Sequence, residues 1–163
     1  MRRQTEMYGR MAAPRRRATR SALLLALLAG VLQTLGAQNA FVVYGEGSFD
    51  EISITGPTRV CELKQGQIRS YTISPEEFGL DRGTLDDIRG GDVFENAAIV
   101  RSVLGGEPGP KQDMVALNAA AAFIGAGLAA DFAGGVALAK SVINSGKAMG
   151  KLQALIEKSK SFG

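Results

Sequence analysis

Three pairs of adjacent carboxylates are the residues of this 163-residue chain best suited to chemistry: Asp50-Glu51, Glu76-Glu77 and Asp86-Asp87. Neighbouring carboxylates repel, so each pair needs water, a cation or a cationic ligand to balance it. Glu76-Glu77 follows Ser74-Pro75 and Asp86-Asp87 follows Thr84, so both fall in predicted first helical turns. Acids there meet the positive end of the helix dipole, and a solvated face accounts for them. Asp50-Glu51 has no such explanation. It follows the apolar run Phe41 to Tyr44 and a loop loosened by Gly45 and Gly47. Ligands of open α/β sheets gather just beyond the carboxyl ends of strands, where this loop falls. Mg2+ is commonly held by one or two carboxylates with water and substrate phosphates, so Asp50 and Glu51 suit a metal–phosphate site. The residue types alone leave a plain solvated loop equally open.

Composition excludes much other chemistry. The chain has no histidine, hence no imidazole for proton transfer or zinc binding. Its single cysteine, Cys61, cannot form an internal disulfide, which fits a reducing compartment. Arg59 and Leu63 alternate around it, so it reads as a half-buried strand residue rather than a nucleophile. "RGGD", residues 89–92, resembles a phosphate-cradling loop. It does not follow a strand, however, and Asp92 reads as the N-cap of the next helix, with the glycines as a hinge. Asn118 stands alone in an apolar helical run and reads as an amide bonded to nearby backbone rather than a ligand contact.

The elements that must position the carboxylates form an α/β pattern. Leu24, Leu27, Leu28, Val31 and Leu35 recur at i, i+3, i+4, i+7 and i+11, which predicts a buried helix with Gly36 as its C-cap glycine. A strand at 40–44 follows, and a helix so placed in an α/β unit is expected to be apolar. "EISITGPTRVCEL" and "GQIRSYTI" alternate like strands, joined by a hairpin at Lys64-Gln65-Gly66 and bent at Gly56-Pro57-Thr58. Ser74 and Pro75 begin a short helix, and Thr84 to Asp87 looks like another start. From Asp92 the chain reads as helices: 92–106, a nearly all-apolar 111–129, a run capped by Asp131, and a basic helix from Lys147 to Lys160. The predicted fold is a partial sheet with a β-hairpin, packed by C-terminal helices.

The charge balance is uneven. Residues 1–20 hold seven arginines and one glutamate, a net of +6, so residues 21–163 carry −3 within a whole-chain total of +3. The pI near 9.2 therefore reflects a basic arm and is no sign of a nucleic-acid-binding fold. The arm is expected to be a disordered leader at 1–20, ahead of one domain at 21–163. The Arg-rich start and the apolar run Ala22 to Leu32 also resemble a secretory signal or, less well given Glu6, an organellar transit peptide. No Ala-x-Ala cleavage site follows, and the run is too short to span a bilayer. The core-helix reading is preferred, with no membrane and no nucleic acid as partners.

"YGEGSFDEISITGPTRVCEL", "ENAAIVRSVLGGEPGP" and "DMVALNAAAAFIGAGLA" together resemble, in order and spacing, the C-terminal part of anthranilate phosphoribosyltransferase. The resemblance implies the second half of the α/β catalytic domain shared by nucleoside phosphorylases and phosphoribosyltransferases. It implies Mg2+ at Asp50 and Glu51, with Gly45 and Gly47 beside the pyrophosphate-bearing substrate. The implied reaction joins phosphoribosyl pyrophosphate to anthranilate in cytoplasmic tryptophan biosynthesis, through positioning and electrostatics rather than imidazole chemistry. There are departures. The family's Gly-Thr-Gly-Gly-Asp loop does not occur, its helical subdomain and anthranilate-contacting arginine lie upstream of the matching part, and Tyr44 stands where histidine is usual. These imply an incomplete fragment, silent alone and prone to self-association. Two alternatives stand beside it: a non-catalytic or exported small module reusing the half-domain, and a pyrimidine nucleoside phosphorylase relative.

Overall fold

A computed structural model describes residues 14–47 and 49–162, with side chains from Ser21 onward. Helix α1 (Pro14–Thr34) leads into strand β1 (Asn39–Gly45), followed by β2 (Thr58–Lys64) and β3 (Gln67–Ile73). A single 3-10 turn at Pro75–Phe78 precedes α2 (Val93–Leu104), α3 (Pro110–Gly125), α4 (Phe132–Asn144) and α5 (Lys147–Lys160). The strands form an antiparallel sheet in the order β1-β2-β3. Gln65 (φ 50°) and Gly66 (φ 77°) make the β2–β3 turn, both in the left-handed region that suits a tight hairpin.

Strand alternation divides the sheet's two faces between two helical layers. Phe41, Val43, Val60, Tyr71 and Ile73 pack with α3 and α4, around Leu117, Ala120 and Phe132. Val42, Tyr44 and Cys61 face α1, where Leu25 and Ala29 are buried. The result is a helix–sheet–helix sandwich. Helices α3 and α4 lie very close, since a Cβ built on Gly135 would stand 2.7 Å from the Ala120 Cβ. Asp113 and Lys140 pair across them at 2.7 Å. Phe132 meets Phe41 edge-on at 5.8 Å and stacks on Phe78 at 5.3 Å, tying the helical layer to the sheet.

Several local expectations agree with the structure. Asp92 accepts from the backbone N–H of Phe94 and Glu95 while Glu95 accepts from the Asp92 N–H, a reciprocal cap. Asp131 caps α4 through the Gly134 N–H, and the basic last helix runs from Lys147 to Lys160.

Four expectations are corrected. First, α1 begins at Pro14, so residues 14–20 are helical backbone rather than disordered; residues 1–13 of the expected leader lie outside the described residues. Second, the predicted core stripe of α1 faces outward. Leu24, Leu27, Leu28, Val31 and Leu35 are 43–78% exposed, whereas Leu25 and Ala29 are buried. The sheet beneath is narrow, and the small Ala29 lets the helix settle on Cys61 along one line of contact. Third, residues 51–57 form no strand; Ile52, Ser53 and Ile54 are buried in succession instead of alternating. Fourth, Thr84 to Asp87 is a turn, closed when the Thr84 N–H and hydroxyl both donate to Asp87 Oδ2 at 2.7 Å. No helix among the described residues is long and apolar enough to cross a membrane.

Candidate metal centre

The loop that carries Asp50 and Glu51 is shaped by what happens at the end of β1. A Cβ on Gly45 would lie 2.9 Å from the Glu51 carbonyl oxygen and the Phe49 Cβ, and 3.0 Å from the Ser53 Cβ. Only glycine leaves that space, so the chain can fold back on itself. The Gly45 N–H donates to Phe49 O at 3.0 Å and receives the Phe49 N–H on its own carbonyl at 3.3 Å. Gly47, at φ +91°, makes the left-handed turn between them. The Glu46 N–H donates to Pro57 O at 2.9 Å and closes the loop's base.

Beyond the carboxylates the backbone is held from inside. Asn118 of α3 accepts the Ile52 N–H on Oδ1 and donates Nδ2 to Ile52 O, both at 2.8 Å, with a further bond to Met114 O at 2.9 Å. The Ser53 N–H donates to Thr58 Oγ1 at 2.9 Å, and Ser53 Oγ accepts the Thr55 N–H at 3.0 Å. Asp50 and Glu51 themselves are exposed. They stand on a fixed platform with their carboxylates toward solvent.

All four predicted site residues therefore lie in one loop. Gly45 packs directly beneath Glu51, and Gly47 sits at the turn that leads to Asp50. No group of three or more His, Cys, Asp or Glu residues that could hold a metal occurs among the described residues. Two solvent-facing carboxylates do not make a closed structural metal site. They do fit Mg2+, which keeps several waters and takes its other oxygens from substrate phosphate.

The competing features have other work. Glu76 pairs with Arg82 at 2.8 Å, and that hydrogen bond holds its carboxyl below the usual range. Asp86 pairs with Arg89 at 2.7 Å, and the bonds from Thr84 likewise hold Asp87 low. In "RGGD" the Gly91 N–H donates to Asn96 Oδ1 at 3.0 Å, so the segment belongs to the start of α2 and not to a ligand loop. Cys61 lies in β2 as expected but is fully buried rather than half-buried, and it accepts the Ser70 hydroxyl at 3.5 Å. Tyr44 packs on the α1 side of the sheet. The reading of Asn118 as a backbone-bonded amide is correct, but its purpose was not foreseen: it grips the residue just past Glu51. A lone amide in an otherwise apolar helix was the available signal.

Residues 18–149 match the family described as "Glycosyl transferase family, a/b domain". The chain is 48% identical over 134 residues to anthranilate phosphoribosyltransferase of Desulfatibacillum aliphaticivorans, covering 82% of this chain and 40% of the relative. It is 51% identical over 130 residues to the enzyme of that name from Anaeromyxobacter dehalogenans, covering 80% and 38%. Among solved structures, anthranilate phosphoribosyltransferase from Thermus thermophilus superposes with a TM-score of 0.73 at 43% identity, over 81% of this chain and 39% of that one. The Saccharomyces cerevisiae enzyme, in complex with PRPP and Mg, superposes with a TM-score of 0.74 at 25% identity, over 85% and 40%. The chain thus spans about 40% of the length of the relatives it matches. With the match running across most of its length, and with the sandwich that carries the carboxylate loop shared by the solved structures, the chain belongs to the α/β domain of the glycosyl transferase family.

Proposed function

We propose that this chain supplies the metal-binding part of an anthranilate phosphoribosyltransferase, which transfers phosphoribosyl from phosphoribosyl pyrophosphate to anthranilate. The observation that carries the reading is the exposed Asp50-Glu51 pair, fixed from below by Asn118 just past β1, in a chain 48% identical to an enzyme of that name. Asp50 and Glu51 would hold Mg2+, directly or through its waters, and a bound Mg2+ supplies positive charge against the leaving pyrophosphate. Gly45 lets the loop fold back tightly beneath Glu51, and the exposed Gly47 would be the point at which a phosphate group approaches the backbone. Asn118 is a positioning residue, since it acts through the Ile52 backbone. On this reading the chain works in the cytoplasm on soluble substrates.

The test is a chimera in which the matched 134 residues of the Desulfatibacillum aliphaticivorans relative are replaced by the corresponding residues of this chain. It should consume anthranilate, followed by its fluorescence, in the presence of Mg2+ and phosphoribosyl pyrophosphate. In that chimera Asp50→Asn with Glu51→Gln should raise the Mg2+ and phosphoribosyl pyrophosphate concentrations needed for half-maximal rate, with circular dichroism unchanged. An inactive but folded chimera would overturn the reading. A Mg2+ titration indifferent to the double substitution would overturn the metal assignment.

A further inference from the structure

A second group of charges lies away from the carboxylate loop, at the tip of the β2–β3 hairpin. Glu62 and Lys64 of β2 and Gln67 and Arg69 of β3 fall at every second residue, on the face that carries Val60 and Tyr71 into the core further along. Helix α3, which packs on that face, ends at Gly125, whose carbonyl accepts Asn39 Nδ2 at 3.1 Å. At the hairpin tip the face opens into a cleft of about 250 Å3, lined by Glu62, Lys64, Gln65, Gln67 and Arg69. No apolar residue lines it.

Glu62 and Arg69 are direct cross-strand partners, as are Lys64 and Gln67. Opposite charges so placed have Cβ atoms about 4.5–5.5 Å apart and ordinarily attract each other into a pair. Here they do not pair. Glu62 Oε2 takes the Tyr71 hydroxyl at 3.0 Å, and Arg69 donates Nη2 to Gln67 Oε1 at 3.1 Å. The ion pairs of the described residues lie elsewhere, at Glu76–Arg82, Asp86–Arg89 and Asp113–Lys140. One carboxylate and two cations therefore line a single cleft without neutralising one another. The turn that joins them is braced from behind. Gln33 of α1 donates Nε2 to Gly66 O at 2.8 Å, and the Gln65 N–H donates to Gln38 O at 3.1 Å. Gln65 stands at φ 50°, the only non-glycine residue with positive φ among the described residues. Asn, Asp or Gly ordinarily fills such a turn position. Glutamine accepts the strain and brings a longer amide to the cleft, and strain of this kind gathers at ligand clamps.

We propose that this cleft binds a free polar α-amino acid. The ligand's ammonium would meet Glu62, and its carboxylate would meet Arg69 and Lys64, with the guanidinium fork suited to paired hydrogen bonds. The amides of Gln65 and Gln67 would take a ligand side chain that both donates and accepts. A simple anion satisfies the two cations but stands against Glu62, and a simple cation meets the reverse difficulty. An aliphatic or aromatic amino acid finds no apolar wall. At about 30 Å3 for each water, the cleft has room for roughly eight, which is the scale of a free amino acid and too small for a folded peptide. The cleft shares no residue with the carboxylate loop, so binding there is independent of the metal assignment.

The experiment is a titration of the full isotope-labelled chain with L-glutamine, followed by the backbone amide resonances. Saturable shifts centred on the hairpin tip are expected, with a dissociation constant in the millimolar range, because the charges stand largely in water. N-acetyl-L-glutamine lacks the cation and L-glutaminamide lacks the carboxylate, so each should bind at least about tenfold more weakly. L-leucine, without a polar side chain, should bind at least about threefold more weakly. Glu62→Gln and Arg69→Gln should each weaken L-glutamine at least about tenfold, and Lys151→Gln on α5 should change nothing. Glutamine at 62 still accepts from Tyr71, and Arg69 is exposed, so circular dichroism of both variants should match the parent. If either variant fails to fold, the analogues measured on the parent chain decide. Binding of N-acetyl-L-glutamine as tight as that of L-glutamine would mean an anion site only and overturn the proposal. Shifts that do not saturate, equal binding of L-leucine, or indifference to both substitutions would each overturn it as well.

Discussion

Asn118 puts both ends of its amide on one residue, Ile52, and so fixes the backbone one position past Glu51. Ile52 is 1% exposed. In Asn118→Ala its N–H and C=O both lose their partner, and each buried orphan costs about 1–3 kcal/mol. A loss of about 2–4 kcal/mol in urea denaturation is expected; a loss under about half a kcal/mol would mean that water replaces the amide without cost. A second residue-scale consequence concerns Tyr71, whose hydroxyl donates to Glu62 Oε2 at 3.0 Å across β2 and β3. Burial first, then the Glu62 charge and that hydrogen bond, push the phenol well above its ordinary value. A folded-state value raised above the unfolded one gives stability that is full below about pH 10 and lost as the pH rises further. The half-exposed ring is partly screened, so the slope stays under about 1.4 kcal/mol per pH unit. Thermal melts from about pH 8 to 11 should therefore fall more steeply above about pH 10 in the parent than in Tyr71→Phe, and parallel curves would show that the phenol ionises freely in the fold.

Among the elements, α1 gives the sharpest contrast between neighbouring positions. Leu25 is 7% exposed against the sheet, and Leu24 is 55% exposed on the open flank. Leu25→Ala should cost the isolated chain about 2–4 kcal/mol, and Leu24→Ala within about 0.5 kcal/mol of nothing. Equal losses from denaturant titrations would mean that the helix sits rotated from the position described. The same helix shows where sequence reading reaches its limit. Residues 22–28 are all apolar, so several stripes satisfy a helical period, and the sheet beneath chooses among them. Elements fixed by local chemistry were legible: Asp92 and Asp131 as caps, Gln65-Gly66 as a hairpin turn, Lys147 to Lys160 as a helix. The segment 51–57 was misread because Ile52 and Ile54 alternate with Ser53 and Thr55. Its conformation is decided instead by Asn118, 66 residues further along, and by Thr58 Oγ1. The carboxylate pair and its glycines were legible because their grouping is local; the clamp that holds them was not, because it comes from a distant helix.

At the scale of the whole molecule, the carboxylate loop is present but the surface around it is not that of a closed active site. Group transfer to anthranilate requires two substrates held in a near-attack arrangement, with developing charge met by fixed dipoles away from bulk water. Here Asp50 and Glu51 face solvent, where high dielectric reduces the worth of each charge contact. The Gly-Thr-Gly-Gly-Asp string that the family resemblance would supply for the pyrophosphate does not occur in these 163 residues. Leu24, Leu28 and Val31 of α1 also lie exposed, and no described strand lies beyond β1, a combination that favours association when nothing else covers it. The chain by itself, mixed with anthranilate, phosphoribosyl pyrophosphate and Mg2+, should therefore leave anthranilate fluorescence constant. Its apparent mass in light scattering should rise with protein concentration. Leu28→Asp should suppress that rise, since it puts a charge on the exposed flank without touching the buried line of Leu25 and Ala29. Repeated turnover by a clean monomer would show that these residues enclose a working site unaided, and that neither the absent glycine string nor a covering strand is needed for the chemistry.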